Sequence, residues 1–199
     1  AIEIQEDYPW AREGRARCLS RVGRHVEAMQ DLNWLLERQP KSARLLGVRG
    51  DVRVSLGDYA LGLEDFDKSL WLKPDQRETI LGRAKALRML ERYEDALVAI
   101  DRAAQIAPPT ALMWAQRGDC LKALGRDDEA LGDYDKALSL DAQEHRALLG
   151  RAELKARAGE HESALEDYER VLDIDPGSRR AFAGRSDALL QVGRPAEAI

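Results

Sequence analysis

Six arginines stand at one fixed interval: Arg15, Arg49, Arg83, Arg117, Arg151 and Arg185 lie 34 residues apart. Four aspartates keep the same interval, Asp31, Asp65, Asp133 and Asp167, each 16 residues after an arginine, and Ala99 fills the one vacant place. A guanidinium and a carboxylate in matching registers can pair bidentately. The alternative is that the arginines form a ladder facing an anionic ligand. Other chemistry is sparse. His25, His145, His161, Cys18 and Cys120 are too few and too scattered for a His/Cys metal cluster. There is no phosphate loop, no H-E-x-x-H and no EF-hand spacing. The run Asp127-Asp128-Glu129 falls at a helix start, where carboxylates complement the helix dipole. Neither a catalytic set nor a cofactor or metal is expected.

The elements that hold these residues follow from the same interval. Prolines stand at Pro40, Pro74, Pro108 and Pro176, with Ala142 in the skipped place. Glycines stand at Gly23, Gly57, Gly125, Gly159 and Gly193, with Glu91 in the gap. Small residues follow at Ala28, Gly62, Ala96, Ala130, Ala164 and Ala198. Three marker series on one period indicate an internal repeat. In the window from Arg77 to Thr110, Ile80, Ala84, Leu87 and Leu90 make one helical stripe, and Ala96, Leu97, Ile100, Ala103 and Ala104 make a second. The glycines fall just past the first helix, where a left-handed cap favours Gly, and the prolines fall just past the second. The windows are 9–42, 43–76, 77–110, 111–144 and 145–178, with a partial one at 179–199 and the end of a preceding one at 1–8. Ala1-Ile2-Glu3-Ile4 reads as the last turn of a second helix and 195–199 as the start of another, so a piece of a longer array is expected.

The composition agrees with a helical array. The chain has 199 residues, 44% of them hydrophobic and 34% charged, with a net charge of −5. That balance argues against a nucleic-acid binder, which needs a basic surplus. No run of 18 apolar residues exists to cross a membrane. Two cysteines make no disulfide framework, so a reducing, cytoplasmic setting is expected.

The period, the series Trp114/Gly118/Gly125/Ala130/Tyr134/Ala137 and its counterparts Gly50/Gly57/Tyr59/Phe66/Pro74 resemble the tetratricopeptide repeat. The resemblance covers essentially the whole chain. It implies an all-α solenoid, a right-handed superhelix of stacked antiparallel helix pairs, whose first helices line a concave groove that holds a peptide or partner protein. It also implies that Trp114 is a core residue. Two binding modes of the family do not transfer. The places for a carboxylate clamp hold Glu13, Arg17, Val48, Gly47, Asp51 and Gly82, without asparagine. The places for an asparagine ladder hold Gly14, Val48, Gly82, Gln116, Gly150 and Gly184.

Applied to this chain, the groove positions are Arg17, Arg44, Asp51, Glu78, Lys85, Arg88, Asp119, Lys122, Arg146, Glu153, Arg157 and Arg180, together with Glu13, Arg21 and Asp187. Nine basic against six acidic side chains suggest an acidic or carboxylate-bearing peptide; a mixed, solvated face is the alternative. The glycines on this face serve either close approach of a partner's backbone or tight stacking of neighbouring helices. Trp34 and Trp71 fall at solvent-facing places of second helices and would form an outer aromatic patch. Cys18 and Cys120 share a small apolar slot and should be buried thiols. The expected function is a protein-interaction scaffold without chemistry of its own. A docking arm of a larger enzyme and a self-associating element, using that patch or open repeat ends, are the alternatives.

Overall fold

The computed structural model describes residues 8–198. Among them every regular element is helical. The chain divides into two compact units, Ala1–Ala107 and Pro108–Ile199.

The first unit carries α1 (Pro9–Arg21), α2 (His25–Arg38), α3 (Ala43–Leu56), α4 (Tyr59–Leu72), α5 (Arg77–Met89) and α6 (Tyr93–Ile106). Consecutive helices pack as hairpins, α1 with α2, α3 with α4 and α5 with α6. The hairpins join through α2 on α3, α4 on α5, and α3 beside α5. Local signals set the ends. The Ser42 hydroxyl accepts the Leu45 N–H at 3.4 Å and so caps α3. Gly57 closes the same helix at φ 89°, and the Asp58 N–H reaches back to the Arg53 carbonyl at 2.9 Å. In the third hairpin Glu91 adopts this left-handed conformation at φ 59°, which costs a residue with a Cβ roughly 1–2 kcal/mol. Glu91→Gly is therefore expected to raise stability by about 1 kcal/mol in a denaturant titration, a gain that a helix-interior glycine would not give.

The second unit carries α7 (Ala111–Ala123), α8 (Asp127–Leu140), α9 (His145–Arg157), α10 (His161–Ile174) and α11 (Arg179–Gln191), then a short 3₁₀ turn at Pro195–Glu197. It packs by the same rule, with α7, α9 and α11 as neighbouring first helices. In both units the small-residue series lets the two helices of a hairpin close up. Ala28, Ala96, Ala130 and Ala164 are all fully buried. A Cβ at Gly62 would stand 2.9 Å from Val54 and 3.1 Å from the Gly50 carbonyl.

Three expectations change. Cys120 is buried, but Cys18 is exposed. The equivalent Val52 is closed over by residues of α1 and α2, whereas among the described residues no helix precedes α1 to cover Cys18. Trp114 is half-buried rather than core, with the Lys136 ammonium 4.4 Å from its ring centre. Residues 195–197 form a 3₁₀ turn rather than the start of an α-helix. The reading of Ala1 to Ile4 lies outside the described residues.

Candidate functional site

The arginine series is structural. Arg15, Arg49 and Arg151 each grip the aspartate 16 residues ahead with two hydrogen bonds: Arg15 to Asp31 at 2.7 and 2.6 Å, Arg49 to Asp65 at 2.8 and 2.8 Å, and Arg151 to Asp167 at 2.8 and 2.7 Å. Arg117 reaches Asp133 at 2.6 Å. The four carboxylates are at most 2% exposed. Hydrogen bonds from Arg15 hold the Asp31 carboxyl below its ordinary value. At Asp167, burial pushes up, but the bonds from Arg151 and Lys155 outweigh it and the carboxyl lies low. The same arginines also reach 16 residues back, to the second helix of the preceding repeat: Arg49 donates to Asn33 at 3.0 Å, Arg83 to Asp67 at 2.6 Å and Arg151 to Asp135 at 2.7 Å. Arg83, which meets Ala99 in its own repeat, keeps only this backward bond among the described residues. These guanidiniums rivet successive repeats, and that occupies the donors an anionic ligand would need. The backward partners share the period too, as Asn33, Asp67, Asp135 and Glu169, a signal visible in the sequence.

The glycines on the first helices make room for rings. Phe66 lies between Gly50 and Gly82, where added Cβ atoms would stand 2.6 and 2.7 Å from it. Tyr134 lies between Gly118 and Gly150, with 2.7 and 2.3 Å. Gly184 faces Tyr168 at 2.3 Å. Where Leu32 holds the ring position, Val48 replaces the second glycine and Ala16 the first. This favours stacking over backbone approach for Gly82, Gly150 and Gly184. Gly14 faces open space.

The first-helix side chains assigned to the groove differ between the two units. In the second unit most of the charged side chains assigned to the groove are paired across repeats, Asp187 being the exception among the described residues. Asp119 on α7 accepts the Tyr134 hydroxyl at 2.9 Å and the Arg146 guanidinium of α9 at 2.7 Å. Glu153 accepts Lys122 at 2.6 Å and the Arg180 guanidinium of α11 at 2.6 Å. Arg157 donates to Asp127 at 2.9 Å. Burial, with Asp119 beside it, pushes the Tyr134 phenol far up. Burial and the nearby Glu153 and Asp187 push that of Tyr168 up to about 12.

In the first unit Arg44 pairs with Glu13, but the rest of the wall is left open. Glu13, Arg17, Arg44, Asp51 and Glu78 line a cavity of about 460 Å³ with Val48 and the α4–α5 loop residues Lys73, Asp75 and Gln76. The loop residues belong to neither repeat stripe, which is why the helical pattern does not point to them. Among the described residues Arg17, Asp51, Glu78, Lys85 and Arg88 form no ion pair within 4 Å. Solvent reaches Asp51, yet the crowding of the wall around it raises its carboxyl to about 6, opposed by the charge of Lys85.

On the outer face the two tryptophans separate. Trp71 is 81% exposed. It stands between a hollow lined by Pro40, Leu46 and Leu72 and another lined by Ile80, Val98 and Ala99. Trp34 is not part of that surface. It is half-buried against the leucine cluster of α2, held between the Arg12 and Arg38 guanidiniums at 4.3 and 3.7 Å from its ring centre. The two residues occupy different second-helix places, Trp34 that of Lys68 and Trp71 that of Glu37, and the partner arginines are present only around Trp34. Among the described residues no group of three or more His, Cys, Asp or Glu side chains is placed to hold a metal ion. No described helix is long and apolar enough to cross a membrane.

A sequence model described as Tetratricopeptide repeat matches residues 48–111, 116–179 and 149–199. Over 75 residues, 38% of this chain, the sequence is 43% identical to human Tetratricopeptide repeat protein 13, and that stretch spans 9% of the relative's length. The pilF protein of Pseudomonas aeruginosa superposes with a TM-score of 0.82 at 18% identity, over 96% of this chain and 86% of that one. YrrB, described as a TPR protein with an unusual peptide-binding site, superposes with a TM-score of 0.65 at 19% identity, over 84% and 87% of the two chains.

Proposed function

Because this chain belongs to the tetratricopeptide-repeat family, a family of protein-interaction scaffolds, we propose that it holds a segment of a partner protein on the concave wall of its first unit, without chemistry of its own. One observation carries the choice of wall. The groove charges of the second unit, Asp187 apart, are consumed in internal pairs, whereas Arg17, Lys85, Arg88, Asp51 and Glu78 of the first have none within 4 Å among the described residues. Internally satisfied charges have little to gain from a ligand, since a new contact must first break an existing one. The expected surplus of three positive charges is therefore smaller in effect, because Arg44, Lys122, Arg146, Arg157 and Arg180 already have acidic partners. An acidic or carboxylate-bearing part of the partner segment is assigned to Arg17, Lys85 and Arg88. A peptide-binding site in the structurally similar YrrB supports a peptide segment as the ligand.

The test uses a peptide selected from a random library against the whole chain. Lys85→Glu with Arg88→Glu is expected to weaken it at least about tenfold, the loss of one or two charge-assisted contacts. Reversal of the outer-face Lys68 should leave its affinity unchanged. Lys122→Glu should act on stability instead, because Lys122 is held by Glu153. Equal affinity in the Lys85/Arg88 variant and the parent would remove the assignment of this wall.

A further inference from the structure

The repeats carry an internal comparison that says what the open wall lacks. Asp119, Tyr134 and Arg146 form one three-membered cluster: the carboxylate takes the phenol on one oxygen and the guanidinium on the other. Two repeats earlier the same three places are Asp51, Phe66 and Glu78. The ring is kept, wedged between Gly50 and Gly82, but it has no hydroxyl to donate. The arginine has become an acid. Asp51 has thus lost both of the donors that satisfy Asp119. Glu153 and Arg180, one repeat beyond Asp119 and Arg146, repeat the acid–arginine pairing at 2.6 Å. The reversal at Asp51 and Glu78 is therefore a departure from a rule the fold applies twice.

The vacancy is also shaped. Asp51 and Glu78 both line the cavity of about 460 Å³, whose other charged lining is Glu13 and Asp75 against Arg17, Arg44 and Lys73, with Arg44 already paired to Glu13. Asp51 Oδ1 stands 2.9 Å from the place a Gly82 Cβ would take, so the absence of a side chain at Gly82 keeps the carboxylate on the wall. Two like charges on neighbouring helices repel unless a cation lies between them. Glu78 has no ion pair within 4 Å among the described residues, and the nearest influence on Asp51 is the charge of Lys85. A guanidinium offers the flat, forked set of donors that two carboxylates on separate helices can share.

We propose that the partner segment carries an arginine, or another basic side chain, which enters this cavity and takes between Asp51 and Glu78 the place that Arg146 takes beside Asp119. This rests on the reading of the first-unit wall as the binding surface. It gives the partner a polarity: a basic residue at the Asp51/Glu78 step and acidic character toward Arg17 and Lys85.

The experiment titrates the isotope-labelled whole chain with three end-blocked Gly-Ser peptides that differ only at the central residue, which is arginine, citrulline or glutamate. Amide shifts on α3 and α5 report binding. The arginine peptide is expected to bind about tenfold more tightly than the citrulline one, which has the same shape without the charge. Glu78→Arg supplies the missing partner from within and is expected to abolish the response while the circular dichroism and unfolding midpoint are kept. Glu78→Gln, a milder change, should weaken it severalfold. Equal binding of arginine and citrulline peptides, or an undiminished response in folded Glu78→Arg, overturns the inference. If only the glutamate peptide binds the wall, or a library-selected peptide maps there while all three test peptides are silent, the inference falls and the reading of the wall stands.

Discussion

Gly150→Val is expected to destabilise the chain by about 2–3 kcal/mol, the cost of forcing extra carbon into a filled core. An added Cβ would stand 2.3 Å from the Tyr134 ring, which is already packed closely against Gly118, where the place for a Cβ is only 2.7 Å away. The loss should be reversible by design. Pairing Gly150→Val with Tyr134→Leu copies the combination of Leu32 with Val48, which packs into one cluster in the first unit. The double variant should recover more than half of the lost stability in a denaturant titration. It will not recover all of it, since Asp119 loses the phenol that donates to it at 2.9 Å. If the two changes are merely additive, the glycine is not there for the ring.

Arg151→Ala should cost about 3 kcal/mol at neutral pH, because it strips a buried carboxylate of its main partner. Asp167 is 2% exposed and would keep Lys155 at 3.0 Å, which limits the damage. The contact with Asp135 goes as well, and with it one tie to the preceding repeat. The cost should depend on pH. The Asp167 carboxyl lies below its ordinary value of 3.8 in the folded chain. Its contribution is therefore fully present above that value and lost as pH falls through the depressed one. The gap between parent and variant should narrow in acid below about 3.8 and stay wide at neutral pH. An Arg151→Ala chain with parental stability but lost binding would return the arginine ladder to a ligand-reading role.

The sequence alone carried the helix-hairpin rule and much of its internal logic. Gly23, Gly57, Gly125, Gly159 and Gly193 all have positive φ, and Glu91 joins them. The register of Arg15, Arg49 and Arg151 with their aspartates was equally legible, since a pair 16 residues apart lies within one hairpin. So was the alternation of Phe66 with Gly82 and of Tyr134 with Gly150, once the rings and glycines are read on the same period. The backward partners Asn33, Asp67 and Asp135 show the same period and could have been read with it.

What only the tertiary structure decided lies between hairpins and in the side-chain rotamers. Counting charges on the first helices treated Lys122, Arg146 and Arg180 as equivalent to Arg17, Lys85 and Arg88. Reach across to the next helix divides them, because Glu153 and Asp119 take up the former while the latter make no ion pair within 4 Å among the described residues. Trp34 and Trp71 both fall on the outer side of second helices but do not share a surface, since Arg12 and Arg38 cover only the first. Cys18 and Cys120 share a periodic slot but not a burial, since burial there depends on a neighbouring hairpin. Backbone conformation and packing face follow from residues a few places apart, so a linear pattern determines them. Whether a charge is spent or available depends on a partner 27 or 31 residues away, and only the folded stack brings those atoms within reach.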